Sequence, residues 1–519
     1  MIPRLAELEP AHALTRDYLT ALKAAGFRGE VAADAATRLV TATDNSVYQI
    51  LPQAVIYPKD AGDVVTAARI AGEARFAELT FAPRGGGTGT NGQSLATGVV
   101  VDVSRHLNQI LEVDLAQGVV RVQPGVVLDQ LNRALKPHGM FFAPNLSPSS
   151  RATIGGMIST DACGEGSRVH GRTSEHVLAL DCVLLGGERF RAEGLDAAAL
   201  EARKALPGRA GELHRVVDRL VTEHAETITE VFPKLRRYMT GYNLAHVRGN
   251  RPRQRPEHIF DLTYLLCGSE GTLAFVTEAT LRLTPLPAVR RLVVLEFGSF
   301  DDALASATVV AASDPSAIES IDERVLGLAR GDVVWHEVGH IFDRPERQHG
   351  PRTRAVNLVA YDGATAAELE PKVQALVASA SAGGSQPGTP IGVYVVPDGP
   401  EAAALWNLRK KGVGLLGNTP GARKPIPFVE DTVVPPEHLA AYVKEFRALL
   451  DAAGLTYGMF GHVDVGCLHV RPALDMKDPD DERLLHLISE RVVELVRKYG
   501  GVIWGEHGKG FRSEYNPLF

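Results

Sequence analysis

The apolar positions near the start of the chain switch between strand and helix spacing. Ala54-Val-Ile-Tyr57 is a continuous apolar run stopped by Pro58, the pattern of a buried strand. Asp60 then caps a segment in which Val64, Val65, Ala68 and Ile70 recur at helical spacing. A second apolar run ends at Ala82, and Gly98-Val-Val-Val-Asp-Val103 is short and β-branched. The pattern predicts a strand–helix–strand unit with a glycine-rich loop leaving its carboxyl end. Residues 1 to about 45 are Ala-rich and read as a helical arm. Ile110–Val113 and Val119–Gln123 read as further strands, and Leu128–His138 as a second helix.

Periodicity fades between Pro144 and Arg172, where small residues dominate. Such a stretch is either a tightly folded segment lying against a flat ligand or a long irregular loop. Regular spacing resumes over Leu262–Leu283, and Pro285 and Pro287 mark a boundary. Beyond it come a strand at Leu292–Phe297, a helix near Asp302–Ala312, a strand at Ala355–Tyr361 and a helix near Ala364–Ala380. That order predicts a βαββαβ-like α+β domain.

With 519 residues the chain can hold two or three domains, each with its own core. A net charge of −7 argues against general nucleic-acid affinity, so anionic ligands need local groups. No apolar run reaches the roughly 18 residues of a membrane span, and the acidic N-terminus lacks the apolar core of a signal peptide. Cys163, Cys182, Cys267 and Cys467 are scattered, which excludes a self-contained iron–sulfur cluster or zinc ribbon. Their spacing suits a reducing compartment, and the cytoplasm is the expected location.

The loop Pro83-Arg-Gly-Gly-Gly-Thr-Gly-Thr-Asn-Gly92 is the first candidate for chemistry. Successive N–H groups in such a loop form a concavity for an anion such as a pyrophosphate. Gly87-Thr-Gly89-Thr-Asn-Gly92 also fits G-x-G-x-x-G, but the chain runs on into a strand instead of the helix that a Rossmann unit requires. Phosphate binding and a plain glycine hairpin both remain open. His336-Glu-Val-Gly-His340 matches the zinc-protease pattern H-E-x-x-H, yet Asp343 stands where the longer motif has glycine.

Three blocks, Pro83-Arg-Gly-Gly-Gly-Thr-Gly, Thr153-Ile-Gly-Gly156 and Gly268-Ser-Glu-Gly-Thr-Leu273, resemble the flavin-binding half of FAD-linked oxidases of the vanillyl-alcohol oxidase fold. Arg237-x-x-x-Gly-Tyr-Asn-Leu244, His462-x-x-x-Gly-Cys-Leu-His469 and Gly505-Glu-His-Gly508 resemble, more narrowly, the D-lactate and D-2-hydroxyglutarate dehydrogenase branch. The likeness implies an α+β fold: a two-part PCMH-type FAD-binding domain with an inserted ferredoxin-like substrate (cap) domain. The expected limits are an arm over 1–45, the FAD domain over 46–288, the cap over 289–500 and a return to the flavin over 501–519.

On the flavin side the resemblance implies Arg84, Gly85, Gly86, Gly87, Thr88, Gly89, Asn91 and Gly92 of the first loop. From the second block it implies Pro144, Thr153, Ile154, Gly155, Gly156, Ser159, Asp161, Gly164, His170 and Gly171, with Glu270, Gly271 and Val276 closing over the cofactor. Covalent relatives carry a histidine where Gly87 stands, so FAD is expected to be held noncovalently. A divalent ion is implied on His462, His469 and Glu506. A turn around Asp464–Gly466 would set both imidazoles on one hairpin, and two histidines with a carboxylate suit zinc or another divalent ion. The alternative is a pair of ordinary hairpin histidines.

The same resemblance makes His507 the general base and Arg409 the carboxylate-binding arginine, with hydride passing to the flavin. Asn243 and Lys424 are expected on the substrate side; Lys424 is only the nearest match to a family lysine. Arg471 replaces an asparagine and either binds a second carboxylate or pairs with Asp475. The small anionic substrate is expected to be D-2-hydroxyglutarate, with D-lactate or glycolate as alternatives. The version of these motifs looks like that of large fusion proteins. Electrons are therefore expected to pass to a missing iron–sulfur domain, an electron-transfer flavoprotein or a quinone. The basic run Lys234, Arg236, Arg237, Arg248, Arg251, Arg253 and Arg255 reads as a solvated face or a loop near the substrate entrance.

Overall fold

A computed structural model describes residues 9–239, 241–249, 258–344, 352–382, 386–397 and 399–519. The first sheet holds Glu30–Ala32, Ala54–Tyr57, Val99–Asp102 and Phe81–Arg84 in that spatial order. The Ala61–Ala71 helix is capped by Asp60, whose side chain accepts from the Asp63 amide. It carries the chain from Ala54–Tyr57 to Phe81–Arg84, and both strands lie parallel to Val99–Asp102 between them. The expected strand–helix–strand unit is therefore present, but its two strands are separated by the next one. The expected helical arm is not wholly helical, because Glu30–Ala32 adds an antiparallel strand to the sheet edge. Tyr18 and Leu22 of the Ala13–Ala24 helix are buried with Ile56, Phe76 and Val99 in one apolar cluster.

Six antiparallel strands make the second sheet, with Phe275–Arg282 central between Val177–Val183 and Val119–Val122. The stretch from Pro144 to Arg172 lies between the Met140–Phe141 strand and Val177–Val183. It is not one irregular loop: Thr153 caps a short helix, Ile154–Thr160, by accepting from the Gly156 amide. Its apolar stripe, Ile154, Met157 and Ile158, is buried but spans barely one turn and is interrupted by Gly155 and Gly156.

The third sheet begins with Val289–Phe297, Ala317–Ile321, Ala355–Gly363 and Gly392–Val395. Their spatial order is fourth, first, third, second, with all pairings antiparallel. This is the ferredoxin-like arrangement, and helices Phe300–Ala311 and Ala366–Ala382 are its crossovers. The hairpin Tyr457–His462 and Cys467–Leu474 extends the same sheet beyond Ala317–Ile321. All four cysteines are free and buried. No helix among the described residues is long and apolar enough to cross a membrane.

Candidate active site

A cavity of about 500 Å³ runs from the first glycine loop, past the Thr153–Thr160 segment, to the far hairpin. Arg84 through Thr90 line one end; Arg409, His462, His469, Arg471, Glu506 and His507 line the other. The loops meet so closely that a Cβ on Gly86 would sit 2.1 Å from the Arg151 carbonyl oxygen. Among the described residues, the N–H groups of Gly86, Gly87, Thr88 and Gly89 have no protein acceptor. A row of unused amides beside a cavity is what a pyrophosphate requires.

At the other end the hairpin pairs His462 with Cys467 and Phe460 with His469, so both histidines lie on one face as diagonal neighbours. Glu506 comes from the C-terminal segment. Its Oε1 lies 3.0 Å from His469 Nε2, 3.4 Å from His462 Nε2 and 3.3 Å from His507 Nε2. Its Oε2 is held by Arg237 at 2.6 Å. Asp431 also falls within the ligand cluster formed by His469, Glu506 and His507. Both Asp431 oxygens, however, already accept the Glu506 amide, and Oδ2 takes the His507 amide as well. Asp431 is thus the floor that orients the two residues, and its backbone is held at φ +73° to do it.

Two family models cover these parts: the FAD binding domain over residues 52–193 and the FAD linked oxidases, C-terminal domain, over residues 286–517. The chain thus carries both the FAD binding domain and the C-terminal domain of FAD linked oxidases. Over its full length it is 52% identical to the D-2-hydroxyglutarate dehydrogenase of Pseudomonas putida and 48% identical to that of Escherichia coli. It covers 50% of each, so this chain spans about half the length of those curated relatives. The solved structure of p-cresol methylhydroxylase shares the fold, with a TM-score of 0.65 at 12% identity over 96% of this chain and 91% of that one.

Burial would raise the Glu506 carboxyl, but the charges of His462 and Arg237 outweigh it and hold the group well below the usual range. Burial likewise opposes protonation of His462, yet Glu319 and Glu506 push the imidazole up to about 9. His507 is also raised well above the usual value, because Asp431 and Glu430 outweigh its desolvation. His469, buried between two other imidazoles, is lowered. The carboxylates and imidazoles that meet here are donor types that could hold a metal ion, Asp431, His469, Glu506 and His507 lying closest together.

Most expected flavin-side residues line the cavity: Arg84, Gly85, Gly86, Gly87, Thr88, Gly89, Thr153, Gly155, Gly156, Ser159, Gly164, Glu270, Gly271 and Val276. Asn91, Gly92, Pro144, Ile154, Asp161, His170 and Gly171 do not line it. Ile154 is core, Asp161 accepts the Ser174 amide, and Gly171 faces a second cavity. Asn243 is buried beside His246, and Lys424 donates to the Thr419 carbonyl; neither lines the cavity. Arg471 pairs with Glu430 and not with Asp475, because Glu430 faces it across the strand edge with both oxygens.

Sequence reasoning passed over Glu319, Glu430 and Arg237 as site residues. The two glutamates had a visible sign: Ala317-Ile-Glu-Ser-Ile321 and Phe428-Val-Glu-Asp-Thr-Val-Val434 are apolar runs interrupted by acids. In the basic run Arg237 is buried and Arg248 pairs with Asp218 at 2.6 Å, while Arg236 is exposed. Arg251, Arg253 and Arg255 lie outside the described residues. His336 and His340 do lie on a helix, Trp335–Phe342, but His340 is exposed and pairs with Glu401 at 2.9 Å.

Proposed function

We propose that this chain carries a D-2-hydroxy-acid dehydrogenase site that converts D-2-hydroxyglutarate to 2-oxoglutarate. The observation that carries the reading is one continuous cavity joining the glycine cradle to Arg409 and to the His462–His469–Glu506–His507 cluster. The identity of the relatives supports the choice of substrate. The first loop would hold FAD noncovalently, and FAD would supply the hydride acceptor.

His462, His469 and Glu506 would hold a divalent ion, zinc by donor type, which would supply a Lewis acid for the substrate hydroxyl. Asp431 and Glu430 raise His507 well above its ordinary value, and a bound cation would oppose that effect. Arg409 holds the carboxylate next to the reacting carbon. Its Nε is engaged by Glu319 at 2.7 Å, and its guanidinium lies 4.7 Å from the Phe460 ring centre, which leaves the terminal nitrogens for substrate. His507 takes the hydroxyl proton, and Asp431 fixes its backbone. Electrons then pass to an iron–sulfur domain, an electron-transfer flavoprotein or a quinone.

The test is an anaerobic titration of the flavin-loaded protein with D- and L-2-hydroxyglutarate. Bleaching of the oxidised flavin by the D isomer alone, lost on chelation and restored by zinc, is the expected result. A flavin spectrum that neither isomer bleaches would overturn the substrate reading.

A further inference from the structure

Two buried glutamates, Glu319 and Glu430, flank the hydroxy-acid end of the cavity, each between an imidazole and a guanidinium. Glu319 places Oε1 2.5 Å from His462 Nδ1 and Oε2 2.7 Å from Arg409 Nε. Glu430 places Oε1 3.3 Å from His507 Nδ1 and grips Arg471 through Nε at 2.6 Å and Nη2 at 3.1 Å. Each glutamate hydrogen-bonds one guanidinium; Glu319 also hydrogen-bonds its imidazole, whereas Glu430 stands at ion-pair distance from His507. The two imidazoles then meet at Glu506 Oε1, at 3.4 and 3.3 Å. The result is a pair of arms on either flank of one reacting centre.

A guanidinium carries five N–H donors. Glu319 occupies the single Nε donor of Arg409, and Glu430 occupies Nε and one Nη2 donor of Arg471. Neither arginine has another hydrogen-bond partner among the described residues, and both line the cavity. Each therefore keeps an end-on edge of two terminal nitrogens, the shape that receives a carboxylate bidentately. A monocarboxylate uses one such edge.

We propose that Arg471, oriented by Glu430, is the specificity-determining residue that receives a second carboxylate and makes the cavity selective for 2-hydroxy dicarboxylates. This rests on the reading above and deepens it. The competing role for Arg471 is that of counter-ion only, since a buried glutamate needs an opposite charge. A counter-ion affects every substrate alike. A carboxylate receptor affects only those with a second acid group.

The experiment compares D-2-hydroxyglutarate with D-lactate, which offers the same reacting carbon and one carboxylate, as reductants of the bound flavin. Wild type, Arg471→Lys, Arg471→Gln and the double variant Glu430→Gln/Arg471→Gln are measured; the double variant keeps an uncharged amide contact should the single change unfold the site. Arg471→Gln is expected to cost roughly 100-fold or more in kcat/KM for hydroxyglutarate, chiefly through KM, because a site built for a charged group loses that discrimination when the group's partner goes. On the same reasoning the hydroxyglutarate-to-lactate ratio of kcat/KM should fall by roughly tenfold or more, since any loss from leaving Glu430 unpaired beside His507 is common to both acids, and Arg471→Lys should recover part of the ratio. Parallel losses on both acids, or an unchanged ratio, would overturn the inference. Wild-type reduction by lactate without reduction by hydroxyglutarate would also overturn it while leaving a 2-hydroxy-acid site in place. Reduction by neither acid would remove the underlying reading, and the inference with it.

Discussion

Asn91 Nδ2 donates to the Gly508 carbonyl oxygen at 2.9 Å, a buried bond between positions 417 residues apart. Gln93 Nε2 reaches the His507 carbonyl at 2.6 Å, and Glu270 accepts the Lys509 and Gly510 amides at 2.6 and 2.9 Å. The glycine loop and the segment that bears Glu506 and His507 are thus stitched together. Asn91→Ala strands the Gly508 carbonyl, a loss of about 1–3 kcal/mol for a buried unpaired group. Substrate reduction of the flavin should slow while flavin content stays near wild type; thermal melts and stopped-flow absorbance check both.

Gly86→Ala should yield folded protein depleted in flavin, because its Cβ meets the Arg151 carbonyl oxygen at 2.1 Å and pushes the two loops apart. Gly327→Ala is the control, since a Cβ there meets nothing within 4 Å. The flavin-to-protein absorbance ratio of the two purified variants decides the matter.

Glu319→Gln removes the carboxylate that fixes the His462 ring. Loss of such an outer partner typically costs roughly 10–100-fold in metal affinity. Competition between the protein and a chelator for zinc measures it, and an unchanged affinity would separate Glu319 from the metal site.

Metal binding should weaken as pH falls. His462 is raised to about 9 from its ordinary value, so in the metal-free protein its contribution to stability is complete below the unfolded value near 6.5. That contribution is lost as pH rises through about 9, while a cation competes better as the proton leaves. Zinc titrations at pH 6, 7.5 and 9, with proton release followed in buffers of different ionisation enthalpy, check the sign.

His336→Ala and His340→Ala should leave flavin reduction and zinc content within about twofold of wild type, as expected of surface substitutions outside the site. His340 is exposed and engaged with Glu401. Loss of bound zinc in either variant would reopen the protease-like motif.

Much of the fold was legible because local chemistry and fold agree. Asp60 could be read as a cap, the βαββαβ order as a ferredoxin-like unit, and the hairpin turn after His462 from Gly466, which takes φ +75°. The Ile154–Thr160 helix was harder to read, since its buried residues Ile154, Met157 and Ile158 span barely one turn and two adjacent glycines interrupt them. The position of Val99–Asp102 between two earlier strands was equally hidden, because strand order depends on long-range pairing.

The candidate site divides along the same line. The chemical types were present in sequence: a glycine loop rich in backbone donors, two histidines seven residues apart, and the adjacent pair Glu506 and His507. Their partners were not. Glu319 reaches His462 across a strand pair, Glu430 claims Arg471 from Asp475, and Arg237 arrives at Glu506 across 269 positions. Sequence alone determined which groups could bind a phosphate, a cation or a carboxylate, because those capacities belong to side chains and local backbone. Only the tertiary structure decided which charges meet and which donors stay free, because a buried charge takes its partner from whatever the fold places within about 3 Å, near hydrogen-bond distance.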